Sequence, residues 1–145
     1  MAKWIPEGWH SVTPRLVVHD VAKLVKFFKK AFGATGDYRA DSPSQIRIGD
    51  SLVMVSSVGS RDAMPAFLYL YVEDIDAAYQ RALKAGAISL EEPQDMPYGD
   101  RRGMVKDPSG NVWQIATHQA HVRRHRARRK TTVKTHPRQM VAPTR

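Results

Sequence analysis

Apolar positions along this chain change period several times, and the changes occur twice. Residues 14–34, PRLVVHDVAKLVKFFKKAFGA, open with a short β-rich run, Leu16-Val17-Val18. They then pass through Asp20 into a segment whose apolar residues recur every three or four positions. Val21, Leu24, Val25, Phe28 and Phe32 fall on one helical stripe, with Lys23, Lys26, Lys29 and Lys30 mostly off it. Residues 66–87, AFLYLYVEDIDAAYQRALKAGA, show the same order: the strand-like run Leu68 to Val72, then Asp74, then a stripe of Ile75, Ala78, Tyr79, Ala82 and Leu83. Asp20 and Asp74 lie 54 positions apart, Gly33 and Gly86 53. Each Asp is placed to accept hydrogen bonds from the first free backbone N–H groups of a helix. Each Gly is placed to end that helix in the left-handed conformation.

Further strand-like runs follow each helix. The first copy predicts strands near 36–40, 44–48 and 52–57, with Gly49-Asp50-Ser51 as a hairpin turn. The second predicts strands near 88–90, 102–106 and 112–117, with DPSGN at 107–111 as the turn. The result is an α+β protein of two βαβββ modules, about 12–57 and 66–118, joined by a linker at 58–65. Each module's mixed sheet is covered on one face by its helix.

Strand alternation predicts what the other faces carry. Leu16 and Val18 oppose Thr13, Arg15 and Val17; Leu68, Leu70 and Val72 oppose Phe67, Tyr69 and Tyr71; Trp113 and Ile115 oppose Val112, Gln114 and Ala116. The aliphatic sets suit the helices. The aromatic and polar sets suit the wall of a cleft, because Phe67, Tyr69 and Tyr71 would otherwise form a large uncovered aromatic patch. The competing reading is an amphipathic sheet face at a solvent-exposed rim.

Composition narrows the function classes. The 145 residues are 42% hydrophobic and include no cysteine, which excludes disulfides, thiolate metal sites and a Cys nucleophile and is compatible with the cytoplasm. No apolar run approaches membrane-spanning length, and the N-terminus lacks the apolar stretch of a signal peptide. The net charge of +9 is unevenly placed: residues 1–118 hold fourteen Lys+Arg and fourteen Asp+Glu, whereas 119–145 hold nine Lys+Arg and no acid. The body therefore has no electrostatic signature of nucleic-acid binding. The basic tail reads as a flexible arm able to bind a polyanion without sequence specificity, or simply as a solvated tail.

Candidate chemistry is sparse. His10 and His19 are isolated. His118, His121 and His125 have helical spacing, but Arg123, Arg124, Arg126, Arg128 and Arg129 surround the last two with a field that opposes a cation. No metal or other cofactor is expected, and neither a nucleophile elbow nor a phosphate loop is present. PYGDRRGMVKDPSGN, 97–111, is a candidate lid: Tyr98 to stack on a ligand, Arg101 to bind an anion or pair with Asp100. The plain alternative is a polar loop in which Asp100 and Arg101 only fix the conformation.

The stretches IPEGWHSVTPRLVVHD, VKFFKKAFGA, YVEDIDAAYQRALKAGA, YGDRRG and DPSGNVWQIATH resemble the vicinal oxygen chelate superfamily, which includes glyoxalase I, bleomycin-resistance proteins, extradiol dioxygenases and fosfomycin-resistance enzymes. The resemblance covers about residues 5–118. It implies two βαβββ modules whose curled mixed sheets surround a cleft, and a homodimer. Metal-dependent relatives take ligands from the first and last strands of each module. Those positions fall here on Thr13, Phe67, Gln114 and either Val53 or Met54, so only Gln114 could coordinate. The resemblance thus points to the metal-free branch. The expected function is a cytoplasmic, metal-independent protein binding a planar or aromatic small molecule, with drug or toxin sequestration as a use. Its ligand-binding residues would be Thr13, Arg15, Phe67, Tyr69, Tyr71, Tyr98, Arg101 and Gln114. The alternatives are a metal-dependent lyase or dioxygenase, and a nucleic-acid-associated protein acting through the tail.

Overall fold

A computed structural model describes residues 4–119. The basic tail, with His121 and His125, lies outside the described residues. The chain runs β1 (Arg15–Val18), α1 (Val21–Phe32), β2 (Ser44–Ile48), β3 (Ser51–Ser57), β4 (Phe67–Tyr71), α2 (Ile75–Lys84), β5 (Ile88–Asp95), β6 (Asp100–Lys106) and β7 (Val112–His118). Two separate mixed sheets result, ordered β1-β3-β2 and β4-β7-β6-β5. In each, the first strand lies parallel to the last, and the last pairs antiparallel with its hairpin partner. Among the described residues no helix is long and apolar enough to cross a membrane.

The N-caps hold in both copies, but the left-handed glycine C-cap holds only for α1: α2 ends on Ala85 in a right-handed conformation, with Gly86 at φ 115° one residue later. Asp20 accepts from the Lys23 N–H at 3.0 Å and Asp74 from the Ala77 N–H at 3.1 Å. Gly33 ends α1 at φ 66°, with its own N–H on Lys29 O and the Ala34 N–H on Phe28 O, closing the helix. Helix α2 gains a second anchor: the Thr117 hydroxyl of β7 accepts from the Ile75 N–H and donates to Val72 O, both at 2.9 Å.

The modules meet through their helices. The apolar stripe of α1 is broader than one sheet requires: Phe27 is buried as deeply as Phe28, and Phe28 and Phe32 pack on Trp113 of the second module. Arg81 of α2 donates to Ala31 O of α1 at 3.1 Å. A helix lying between its own sheet and a second module needs two apolar sides, which a single-stripe reading undercounts.

Two strands depart from the sequence expectation. The strand expected at 36–40 is reduced to a single bridge, Thr35 to Arg47. Gly36 approaches β2 so closely that a Cβ there would lie 2.4 Å from Gln45 O. In the second module β5 extends to Asp95, through Pro93. It is an edge strand with register shifts between Ser89 and Glu91 and between Glu91 and Gln94, so a residue without an N–H is tolerated. The 58–65 linker also folds back, and Met64 bridges Val17 along the β1 edge.

The turn DPSGN is held by one carboxylate. Asp107, 3% exposed, accepts from the Ser109 and Asn111 N–H groups at 2.8 and 3.0 Å, from Asn111 Nδ2 at 3.0 Å and from Trp113 Nε1 at 2.8 Å. Asn111, fully buried, passes the connection on by accepting from the Ala66 N–H at 2.9 Å, immediately before β4. Asp107→Ala leaves these donors unpaired in the interior. It is expected to lower unfolding free energy by about 3 kcal/mol, read as a lower urea midpoint at unchanged slope.

Candidate functional site

Strand register assembles a polar cluster on the open face of the second sheet. The parallel β4–β7 pairing sets Tyr69 beside Gln114 and Tyr71 beside Ala116, and the antiparallel β6–β7 pairing sets Arg102 beside Ala116 and Asp100 beside His118. Because side chains alternate, these residues share one face, while Leu68, Leu70, Trp113, Ile115 and Val105 turn to the helices.

Asp100 is the centre of the cluster. Its carboxylate is 3% exposed and accepts three side-chain hydrogen bonds: Tyr69 Oη at 2.6 Å, Tyr71 Oη at 2.9 Å and His118 Nδ1 at 2.9 Å. Burial alone would raise its pKa, but the bonds from Tyr69, His118 and Tyr71 together hold it below the ordinary carboxylate value. The phenols respond in the opposite sense. Burial and then the bond to Asp100 push Tyr69 far above a normal phenol, and the bond to Asp100 followed by burial raises Tyr71. Both remain neutral donors.

The network continues away from the strands. Tyr98 sits on the β5–β6 turn, whose Gly99 takes φ 107° and donates to Met96 O at 3.1 Å. The Tyr98 hydroxyl lies 3.4 Å from that of Tyr69 and accepts from Arg102 at 3.2 Å. Arg102, 5% exposed, pairs with Glu91 of β5. Its Nε has no protein partner among the described residues. Around this network the face is aromatic and open: Phe67 is 65% exposed, Tyr71 58%, Tyr98 50% and Tyr69 39%, with the Tyr69 and Tyr71 rings 5.2 Å apart.

The sequence-predicted residues therefore divide. Phe67, Tyr69, Tyr71, Tyr98 and Gln114 come together on this face. Thr13 and Arg15 belong to the first module, where Arg15 donates to Ser56 at 3.0 Å, and one chain does not bring them to the aromatic cluster. Arg101 is a correction. It lies on the opposite side of the sheet, holding Asp76 of α2 with two nitrogens at 3.0 and 3.1 Å and Asp95 at 3.3 Å. Its pairing with Asp100 fails for the same reason: adjacent residues of a strand point to opposite faces. Asp100, His118, Arg102 and Glu91 were not among the expected residues. Alternation carried from Gln114 to His118 was the available signal for one of them. Starting the strand at 102 left Asp100 in a loop.

Register also settles the fourth metal position of the family pattern. Met54 aligns with Arg15 on the open face, as Gln114 aligns with Tyr69, whereas Val53 is buried against the helix. The four positions thus carry a hydroxyl, a phenyl, an amide and a thioether. That set supplies no anion and at most two neutral oxygens, and it does not fit a hard divalent cation. No group of three or more His, Cys, Asp or Glu residues able to hold a metal occurs among the described residues.

Residues 10–115 match the Glyoxalase/Bleomycin resistance protein/Dioxygenase superfamily, and the chain belongs to it. Uncharacterized proteins of Mycobacterium bovis and Mycobacterium tuberculosis are 33% identical over 72% of this chain, covering 81% and 72% of their own lengths. Among solved structures, TioX from Micromonospora sp. ML1 superposes with TM-score 0.64 at 22% identity, over 74% of this chain and 95% of that one. An Arabidopsis thaliana gene product gives TM-score 0.62 at 26% identity, over 74% and 98%. A glyoxalase/bleomycin resistance protein/dioxygenase family enzyme from Burkholderia phytofirmans gives 0.63 at 18%, over 72% and 94%.

The shifted groups set the stability profile. Asp100 has a folded pKa below its unfolded value of about 3.9, so its stabilisation is complete above that value and is lost as pH falls through the folded one. Tyr69 is raised, so its stabilisation is complete below about 10 and is lost as pH rises through its folded value. Asp100→Asn is expected to flatten the acid limb of a urea-unfolding pH series, and Tyr69→Phe to flatten the alkaline limb. Unchanged limbs would show that the hydrogen bonds do not persist in solution.

Proposed function

We propose that this protein is a metal-independent small-molecule-binding protein whose open β4–β7 face takes a planar or aromatic compound. The observation that carries the reading is the juxtaposition of four exposed aromatic rings, three on β4 and one on the β5–β6 turn, with a buried carboxylate that accepts three side-chain hydrogen bonds. Aromatic rings supply stacking area, and Gln114 supplies an oriented polar contact beside Tyr69. Sequestration of a drug or toxin requires only such a face and no bond-making step. A cysteine-free chain suits a cytoplasmic protein of this kind.

Among the described residues nothing encloses these rings. We therefore propose a homodimer, in which the first module of a second copy closes the cleft. Thr13 and Arg15 of that copy would then reach the ligand, which accounts for their distance from the aromatic cluster within one chain.

Phe67→Ala and Tyr69→Ala are each expected to weaken a bound planar compound by about tenfold, the effect of one to two kcal/mol per aromatic contact. A thermal-shift screen over planar antibiotics and 2-oxo compounds, followed by titration of the hits, measures this. Unchanged affinity for every hit would overturn the proposal. Metal analysis of protein purified without a His-tag is expected to find far less than one equivalent. A full equivalent of zinc, nickel or iron would favour a metal-dependent lyase or dioxygenase instead.

A further inference from the structure

The charge balance of the open face singles out His118. Among the described residues, Asp100 is a buried carboxylate with no Lys or Arg paired to it. Arg101 is across the sheet with Asp76 and Asp95, and Arg102 is paired with Glu91 and reaches the cluster only through the Tyr98 hydroxyl. Among the described residues, the other groups hydrogen-bonded to the His118–Asp100 pair are neutral, Tyr69 and Tyr71 from β4, with the Tyr98 hydroxyl beside that of Tyr69. An ionised carboxylate only accepts hydrogen bonds, so the His118 Nδ1 at 2.9 Å must carry a proton. In the neutral ring the lone pair is then on Nε2. The side chain bearing it is 62% exposed, beside the aromatic rings. A proton arriving at Nε2 converts the pair into an imidazolium–carboxylate ion pair and supplies the cation that Asp100 lacks.

We propose that His118, oriented by Asp100, is a proton-accepting binding residue, and that the site selects planar compounds with an acidic O–H (phenols and enols) and holds them as anions. The inference rests on the aromatic-ligand reading above and deepens it. The proton balance is simple. The ligand O–H bond breaks, an N–H bond forms at Nε2, and the electron pair stays on the ligand oxygen. A ligand that arrives already ionised draws one proton from solvent onto Nε2 instead. The Tyr69 and Tyr71 hydroxyls already donate to Asp100, which leaves Nε2 as the group free to receive the ligand's proton. Asp100 acts here as a positioning residue, fixing the tautomer and stabilising the imidazolium.

The test uses the full chain and two probes, para-nitrophenol and para-nitroanisole, which share a ring but differ in the acidic O–H. At a pH below the phenol's own ionisation, binding is expected to produce the phenolate absorption band. The phenol is expected to bind about tenfold more tightly than the ether, the increment of one charge-assisted hydrogen bond. His118→Gln, at an exposed ring near the strand end, should abolish the band and bring the phenol's affinity down to that of the ether in the same variant. Asp100→Asn should reduce the band and shift its pH profile. Equal binding of both probes without a phenolate band would overturn the inference and leave the aromatic face intact as a binding site. A band that persists in His118→Gln would also overturn it, by placing the anion against another group. Failure of both probes to bind would overturn the reading of the face, and this inference with it.

Discussion

The Asp107 carboxylate fixes the geometry on which the open face depends. A buried anion at the head of a hairpin is tolerable only if nearly all its lone pairs are used, and here backbone, amide and indole donors use them. Through Trp113 it sets which residues of β7 face the helices, and through Asn111 it sets where β4 begins. A slip of one residue in β7 would turn Gln114 and His118 inward and expose Trp113, and one in β4 would turn Tyr69 and Tyr71 inward. The alignment of Tyr69, Tyr71, Asp100 and His118 therefore follows from an interaction at the far end of their strands.

The first module has no equivalent polar centre. Its open face carries Arg15 joined to Ser56, with Met54 and Gln45 alongside. The repeat kept its helix caps, strand directions and helix-facing aliphatic residues, while the opposite faces diverged. The same division is expected wherever one side of a sheet is under a packing constraint and the other only under a chemical one.

Much of the fold was legible in the sequence because its signals are local: Asp20 and Asp74 at the helix starts, Gly33 at a helix end, and the Gly-Asp and DPSGN turns. The two misplaced strands fail for non-local reasons. Whether residues 36–40 form a ladder depends on how closely Gly36 meets β2, and whether Pro93 ends a strand depends on that strand being at an edge. The candidate site was legible to the extent that alternation within one strand puts its residues on one face, as for Phe67, Tyr69 and Tyr71. Its polar centre was not, because Asp100 and His118 meet only through a register that sequence spacing does not specify. Arg101 misled as a charged residue beside an aromatic lid, when its true partner, Asp76, is presented by a helix on the other side of the sheet.

Strand β4 has a further consequence for the molecule's behaviour. Its sequence, Phe-Leu-Tyr-Leu-Tyr, lies at the edge of its sheet, paired on one side only among the described residues. The β1 edge is shielded by the Met64 bridge, and the β5 edge is blunted by proline and irregular register. FLYLY carries neither a charge nor a proline, the combination that templates addition of further strands. The segment proposed to supply the rings for a ligand is thus also the principal self-association hazard among the described residues. A second subunit that covered this edge would remove the hazard, so solubility and the proposed binding would both depend on the same five residues.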